Sequence, residues 1–215
     1  MIKGVVFDMD GLMFDTENLT YKLQHEILIR DFGIEYTLGE YKQTIGLRTE
    51  DLKSFFKNLC GEDFDIDAFR QSCREAYTAY TDKNGVPVKD GLFELLDFLK
   101  EKEIKISLST STTKASAQRT LKISGTLGYF DTLICADDVE NGKPHPEPFA
   151  KAAASLGLEP PECMALEDSA NGIKSAYAAG LIPVMIPDLI EPTDEIKQMC
   201  FKIENSLKDV INLIV

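Results

Sequence analysis

The sequence predicts an α/β fold, a doubly wound parallel sheet interrupted by an inserted block of helices. Three observations carry this. Short apolar runs recur along the chain, helical periods separate them, and one stretch from about Thr16 to about Lys83 has helical periods but no strand-like run. The first strand is Gly4-Val5-Val6-Phe7, small or apolar throughout, as in a strand covered on both faces. In the helical block, Leu19, Leu23, Ile27 and Leu28 share one period, and Leu52, Phe55, Phe56 and Leu59 another. Phe55, Phe56, Tyr77 and Tyr80 read as a small core of that block.

Alternation then resumes. Leu92, Leu95, Leu96 and Leu99 mark an amphipathic helix ending in the charged residues Lys100 to Glu103, and a strand follows at Ile104 to Ser109. The remaining elements are a helix near Lys114 to Ile123, a strand at Thr132 to Cys135 and a helix near Pro146 to Leu156. A strand at Cys163 to Leu166, a helix from Ser169 to Ala179, a strand at Ile182 to Ile186 and a helix at about Leu207 to Val215 complete the chain. Repeated β-α units imply a mostly parallel sheet with helices on both faces. The expected organisation is a Rossmann-like catalytic core of residues 1–14 plus 85–215, with a helical cap domain at 15–84. Asp15-Thr16 and Lys83-Asn84-Gly85-Val86-Pro87 have the polar and Gly/Pro character of linkers. Motion there is expected to open and close the end of strand one.

Composition limits the partners. With 215 residues, 44% of them hydrophobic, the chain can bury a substantial core. A net charge of −13 argues against nucleic acid, whose binding rests on Lys and Arg neutralising phosphates. The five cysteines are scattered and form no C-x-x-C pair, the pattern of reduced thiols. No run approaches the ~20 apolar residues of a membrane span. The expectation is a cytoplasmic protein with no membrane partner. Its oligomeric state is not fixed by these features, and a monomer is compatible with them.

The chemistry gathers where strands end. Strand one runs into Asp8-Met9-Asp10-Gly11. Two like charges ~4 Å apart at an effective dielectric of about 20 repel by about 4 kcal/mol, so a cation is expected between them. Strand two ends in Ser109-Thr110-Ser111-Thr112-Thr113, hydroxyls able to hold an anion or simply to cap the next helix. Lys143 is presented by the loop Gly142-Lys143-Pro144-His145-Pro146. Glu167-Asp168-Ser169 closes strand four, where either Asp168 or Ser169 is also able to cap a helix. In a parallel sheet these ends share one edge. Hard oxygen ligands on three sides suit Mg²⁺, which takes one or two carboxylates together with substrate phosphate and water.

Taken together, the motifs resemble the haloacid dehalogenase superfamily of phosphotransferases, in the branch that includes β-phosphoglucomutase. The resemblance covers essentially the whole chain. It rests on Phe7-Asp8-Met9-Asp10-Gly11-Leu12 with Phe14-Asp15-Thr16, on Leu108-Ser109-Thr110-Ser111, on Gly142-Lys143-Pro144-His145-Pro146 with Phe149, and on Leu166-Glu167-Asp168-Ser169 with Gly172. It implies that Asp8 is the nucleophile and Asp10 the general acid and base. Mg²⁺ would be held by the Asp8 and Asp168 carboxylates and the Asp10 carbonyl, with Glu167 in or just behind that shell. Thr110 and the Ser111 N–H would bind the phosphoryl oxygens, and Lys143 would neutralise charge. Arg48 would meet a phosphate on the cap side or stand solvated at the start of its helix.

An acid at Asp10 argues against the dehalogenase and phosphonate-cleaving members of the superfamily. Thr20 stands where the mutase carries a histidine, and Ile45 where it has a lysine. His25, about one helical turn beyond Thr20, reads as a helix-surface residue. The implied function is a Mg²⁺-dependent phosphatase of a small phosphorylated metabolite acting through an aspartyl phosphate, with a β-phosphoglucomutase-type phosphomutase as the alternative. A catalytically idle binding protein on the same fold is a third reading, opposed by the presence of every motif residue.

Overall fold

The computed structural model describes residues 1–47 and 49–214. The chain divides into two compact units, Met1–Asp15 with Val86–Val215, and Thr16–Gly85. The first is built on a parallel sheet of six strands: β1 (Gly4–Phe7), β2 (Lys105–Ser109), β3 (Thr132–Ile134), β4 (Cys163–Glu167), β5 (Ile182–Met185) and β6 (Lys202–Ile203). Their order is β3-β2-β1-β4-β5-β6. The chain winds outward from β1 to β3 and then returns to the other side of β1. That places the topological switch point, where open α/β sheets bind their ligands, between β1 and β4.

Successive side chains on a strand point to opposite faces. On β1, Val5 and Phe7 join one core with Leu92, Leu95, Leu96, Leu99 and Leu108. Val6 joins the other with Phe149, Ala152, Ala153, Ala165 and Ala176. Burial on both faces is why the strand is apolar without alternation.

Register fixes the site. Phe7 lies opposite Leu108 of β2 and Leu166 of β4. The next residue of each strand, Asp8, Ser109 and Glu167, therefore comes to the same level of the sheet's carboxyl edge.

The second unit is helical: α1 (Thr16–Ile27), continued by a π-helical turn at Leu28–Phe32, then α2 (Leu38–Thr44), α3 (Thr49–Cys60) and α4 (Ile66–Asn84). A reciprocal box starts α2: Thr37 Oγ1 accepts from the Glu40 N–H, and Glu40 Oε2 accepts from the Thr37 N–H at 2.7 Å. Asp65 caps α4 by accepting from the Asp67 and Ala68 N–H groups. The core of this unit is Tyr36, Phe56, Phe64 and Phe69, with ring centroids 5.1 to 5.9 Å apart between Phe56 and the other three. Tyr80, expected in that core, is exposed, and Phe55 and Tyr77 are half-buried. The Tyr36 and Phe64 positions come from loops, where helical periodicity gives no signal.

The sheet is flanked by α5 (Leu92–Glu101), α6 (Lys114–Ile123), α7 (Glu147–Ser155), α8 (Ala170–Ala178), the short α9 (Asp194–Met199) and α10 (Ile211–Ile214). The expected C-terminal helix is split into a 3₁₀ turn at Leu207–Val210 and α10. No described helix is long and apolar enough to cross a membrane.

Candidate active site

The carboxyl edge of the sheet assembles around Lys143. Its loop folds back so that the ammonium donates to the Asp8 carboxylate, to Glu167 Oε1 at 2.6 Å and to the Ser109 carbonyl at 2.9 Å. These acceptors belong to the three residues that the strand register brings level. The Lys143 side chain is only 6% exposed, and its nitrogen lies 4.8 Å from the centre of the buried Phe149 ring. A solvated lysine is thus excluded, and the ammonium's three protons match three acceptors.

Glu167 is 1% exposed and held from both sides. While Oε1 takes Lys143, Oε2 accepts from the Ser169 N–H at 3.0 Å and hydroxyl at 2.9 Å. Ser169 Oγ in turn accepts from the Gly172 N–H at 3.0 Å, so Ser169 is the residue that caps α8. A Cβ on Gly172 would lie 1.8 Å from the Glu167 carboxylate, which explains the glycine inside a helix.

Asp168 lies against the Asp8 loop. Gly11 has φ +83°, and a Cβ there would come 2.3 Å from Asp168 Oδ2, so both backbone and space require glycine. The Asp8, Glu167 and Asp168 carboxylates each offer an oxygen within 4.8 Å of the others.

This is an electrostatically loaded arrangement. Burial is the main cause pushing the Asp8 carboxyl up to about 8; Lys143 opposes the shift, while Glu167 and Asp10 add to it. Burial also raises Asp168 well above the usual carboxylate range, with Glu167 and Asp8 contributing. Burial disfavours the Lys143 ammonium, but Asp8 and Glu167 outweigh it and raise its pKa. Fully ionised, three carboxylates and one ammonium carry −3 + 1 = −2, which one divalent cation balances. The donors are hard oxygens, so the set fits Mg²⁺ or a similar ion. Because both Glu167 oxygens already accept hydrogen bonds, the freer ligands are Asp8 and Asp168.

The hydroxyl cluster after β2 divides its work. Thr110 is 4% exposed, donates its N–H to the Ile134 carbonyl, and accepts the Thr112 N–H on Oγ1 at 3.1 Å. Ser111 is exposed. The Thr112 hydroxyl donates to Asp10 Oδ2 at 2.8 Å. Thr113 occupies the N-cap of α6 but makes no side-chain capping bond, so capping does not account for the cluster.

Two contacts were not anticipated. Thr112 belongs to a run noticed only as a group, and its pairing with Asp10 spans too much sequence to be read. Lys89 bridges Asp15 at 3.2 Å and Asp188 at 2.5 Å, with Asp188 Oδ2 buried and lacking a hydrogen-bond partner among the described residues. His145 is structural: its Nδ1 accepts from the Glu147 N–H and its carbonyl from the Ser175 hydroxyl. His25, expected on a helix surface, is half-buried, with Nδ1 2.7 Å from the Tyr36 carbonyl. Arg48 lies outside the described residues.

Acids and a buried lysine thus meet at the switch point of a doubly wound sheet, where open α/β folds carry their sites. The chain belongs to the haloacid dehalogenase-like hydrolases, whose family model matches residues 5–186. It is 30% identical over 185 residues to the phosphorylated carbohydrates phosphatase of Thermotoga maritima, covering 84% of this chain and 82% of that one. It is 29% identical to the fructose-1-phosphate phosphatase YqaB of Escherichia coli, covering 83% and 93% of the two chains. Among solved structures, a β-phosphoglucomutase from Clostridium difficile superposes with a TM-score of 0.74 at 25% identity, covering 98% and 93%.

Proposed function

We propose that the chain is a Mg²⁺-dependent phosphatase of a small phosphorylated metabolite, a sugar phosphate or similar, that carries the phosphoryl group on Asp8. The observation that carries this reading is the Asp8 carboxylate held by buried Lys143 at the switch point, with Asp10 two residues on as an adjacent acid. The names of the T. maritima and E. coli relatives support the substrate class.

In this reading an Asp8 oxygen attacks phosphorus, and the bond from phosphorus to the leaving alcohol breaks as the Asp10 carboxyl proton passes to the alcohol oxygen. Water then attacks the aspartyl phosphate, Asp10 takes its proton, and phosphate leaves with Asp8 regenerated. Lys143 opposes the burial that favours a proton on Asp8, aims its oxygen, and offsets charge on the phosphoryl group. Thr110 and the Ser111 N–H bind phosphoryl oxygens. Asp8, Asp168 and the Asp10 carbonyl would hold the cation, with Glu167 behind them. Bound there, Mg²⁺ supplies charge neutralisation for the dianionic ester and for the transition state.

In this reading residues 15–84 serve as the helical cap domain. Thr20 stands where the mutase carries a histidine, which favours water over a second sugar hydroxyl as acceptor. The five free cysteines support a cytoplasmic location, and the charge of −13 argues against nucleic acid.

The test is release of phosphate from a panel of sugar phosphates with Mg²⁺, then with EDTA, beside Asp8→Asn. Turnover that needs both metal and Asp8 is expected. Absence of turnover across the panel, or turnover indifferent to Asp8→Asn, overturns the reading.

A further inference from the structure

We infer that Glu147 is a positioning residue for Lys143: its carboxylate fixes the loop that carries the lysine from the protein surface to Asp8 and Glu167. The catalytic consequence rests on the phosphatase reading above, which the inference deepens.

Lys143 is delivered inward from an outer loop. Glu140, Asn141 and Gly142 before it are exposed, and so are Pro144 and His145 after it, yet the Lys143 side chain is only 6% exposed. Exposed loop backbone is mobile unless something ties it down. The leg after Lys143 is tied by the His145 N–H, which donates to the Gly142 carbonyl at 3.0 Å, and by the Ser175 hydroxyl, which donates to the His145 carbonyl at 2.6 Å. The leg before it is tied by Glu147.

Glu147 starts α7, two residues ahead of Phe149, whose ring faces the Lys143 ammonium. Its Oε1 accepts from the Glu140 N–H at 2.9 Å and from Lys151 Nζ at 2.7 Å. Its Oε2 accepts from the Asn141 N–H at 3.0 Å and from Asn141 Nδ2 at 3.1 Å. A carboxylate offers about four acceptor positions, and here all of them are used. Lys151 first, and then the Glu140 and Asn141 donors, hold the Glu147 carboxyl down to about 2, so it stays ionised at any working pH. A first-turn glutamate paired with a lysine four residues on is also ordinary helix stabilisation. That role does not account for the three loop donors. One helix end thus sets both the ring that the ammonium meets and the loop that brings it there.

Lysine acylation by N-acetoxysuccinimide, read by peptide mass spectrometry, tests this, because a buried and hydrogen-bonded ammonium reacts slowly. Lys143 should be protected in the wild type relative to Lys3, which is 57% exposed at the amino end of β1. Glu147→Gln keeps the size but sets an amide donor against donors of the loop. Labelling of Lys143 should rise by about tenfold, and kcat/KM for phosphate release should fall by about tenfold. Lys151→Met breaks the same helix ion pair and leaves the Glu140 and Asn141 bonds, so both readouts should stay within about twofold of the wild type. In a Lys143→Met background, adding Glu147→Gln should change kcat/KM by less than about twofold. The inference is overturned, and the phosphatase reading left standing, by any of four results: wild-type labelling of Lys143 in Glu147→Gln, unchanged kcat/KM in that variant, an equal rise in labelling in Lys151→Met, or a further tenfold loss in the Lys143→Met background. Absence of phosphate release by the wild type refutes that reading instead, and the labelling still decides whether Glu147 holds Lys143.

Discussion

Gly172→Ala isolates the wedge between α8 and the buried carboxylate. Inside a helix, replacing glycine by alanine ordinarily stabilises by about 1 kcal/mol. Here the new methyl would fall 1.8 Å from both Cδ and Oε1 of Glu167. Carbon atoms rest about 3.5–4.0 Å apart, so the carboxylate would have to retreat by well over 1 Å. It has no room to do so while keeping Lys143 at 2.6 Å on one oxygen and Ser169 at 2.9 Å on the other. Breaking a buried, charge-assisted arrangement of this kind costs about 3–5 kcal/mol. Offset by the helix preference, the net destabilisation should be about 3 kcal/mol, or a fall in Tm of about 6–12 °C for a chain of this size. Gly39, also helical, has only Thr37 Oγ1 near its would-be Cβ, at 3.8 Å, and serves as the control. Gly39→Ala should leave Tm unchanged or raise it. Thermal unfolding of the two variants side by side decides the matter. If Gly172→Ala is as stable as the parent or more so, Glu167 is not wedged against α8, and the account of how it is held is wrong.

Three further outcomes follow from the same geometry. Lys143→Met leaves Asp8 and Glu167 facing each other unpaired, so phosphate release should fall by about a hundredfold or more and Tm should drop, as steady-state rates and calorimetry would show. Ser169→Ala removes the cap of α8 and one donor to Glu167, and should cost about 1 kcal/mol in urea unfolding. The third concerns pH. Asp8 titrates near 8 in the folded protein against 3.8 unfolded, so between those values the folded state holds a proton that the unfolded chain releases. Stability of the metal-free protein should therefore fall as pH rises through that window. Mg²⁺ should restore it most at the upper end, where the proton no longer competes; a metal-free Tm rising from pH 5 to 8 would contradict this.

Much of this was legible in the sequence because the sheet's strands are short, apolar and separated by amphipathic helices. The β1 run, the Leu92 to Leu99 stripe and the span of α6 needed only periodicity, and the strand-end acids could be placed on one edge from parallel topology alone. What stayed hidden depends on distance in three dimensions. A lysine in a Pro-flanked loop gives no sign that it is buried, since that is decided by Phe149, Ser109 and the two carboxylates it meets after folding. Nothing local to Lys89 announces Asp15 and Asp188. β6 has two residues, Lys202–Ile203, too few to show alternation, and exists because the sheet edge at β5 offers it a partner. Tyr80 matches a helical period but lies on the open side of α4.

The central claim is that Asp8 carries the phosphoryl group, and trapping it is the direct test. Protein mixed with a turned-over phosphate ester and Mg²⁺, quenched in acid and digested, should yield the Asp8 peptide heavier by one phosphoryl group. The species should build up further in Asp10→Ala, given an ester whose leaving group needs no proton, and be absent in Asp8→Asn. Phosphate release at the wild-type rate from Asp8→Asn, or turnover with the label on another residue, would contradict the account.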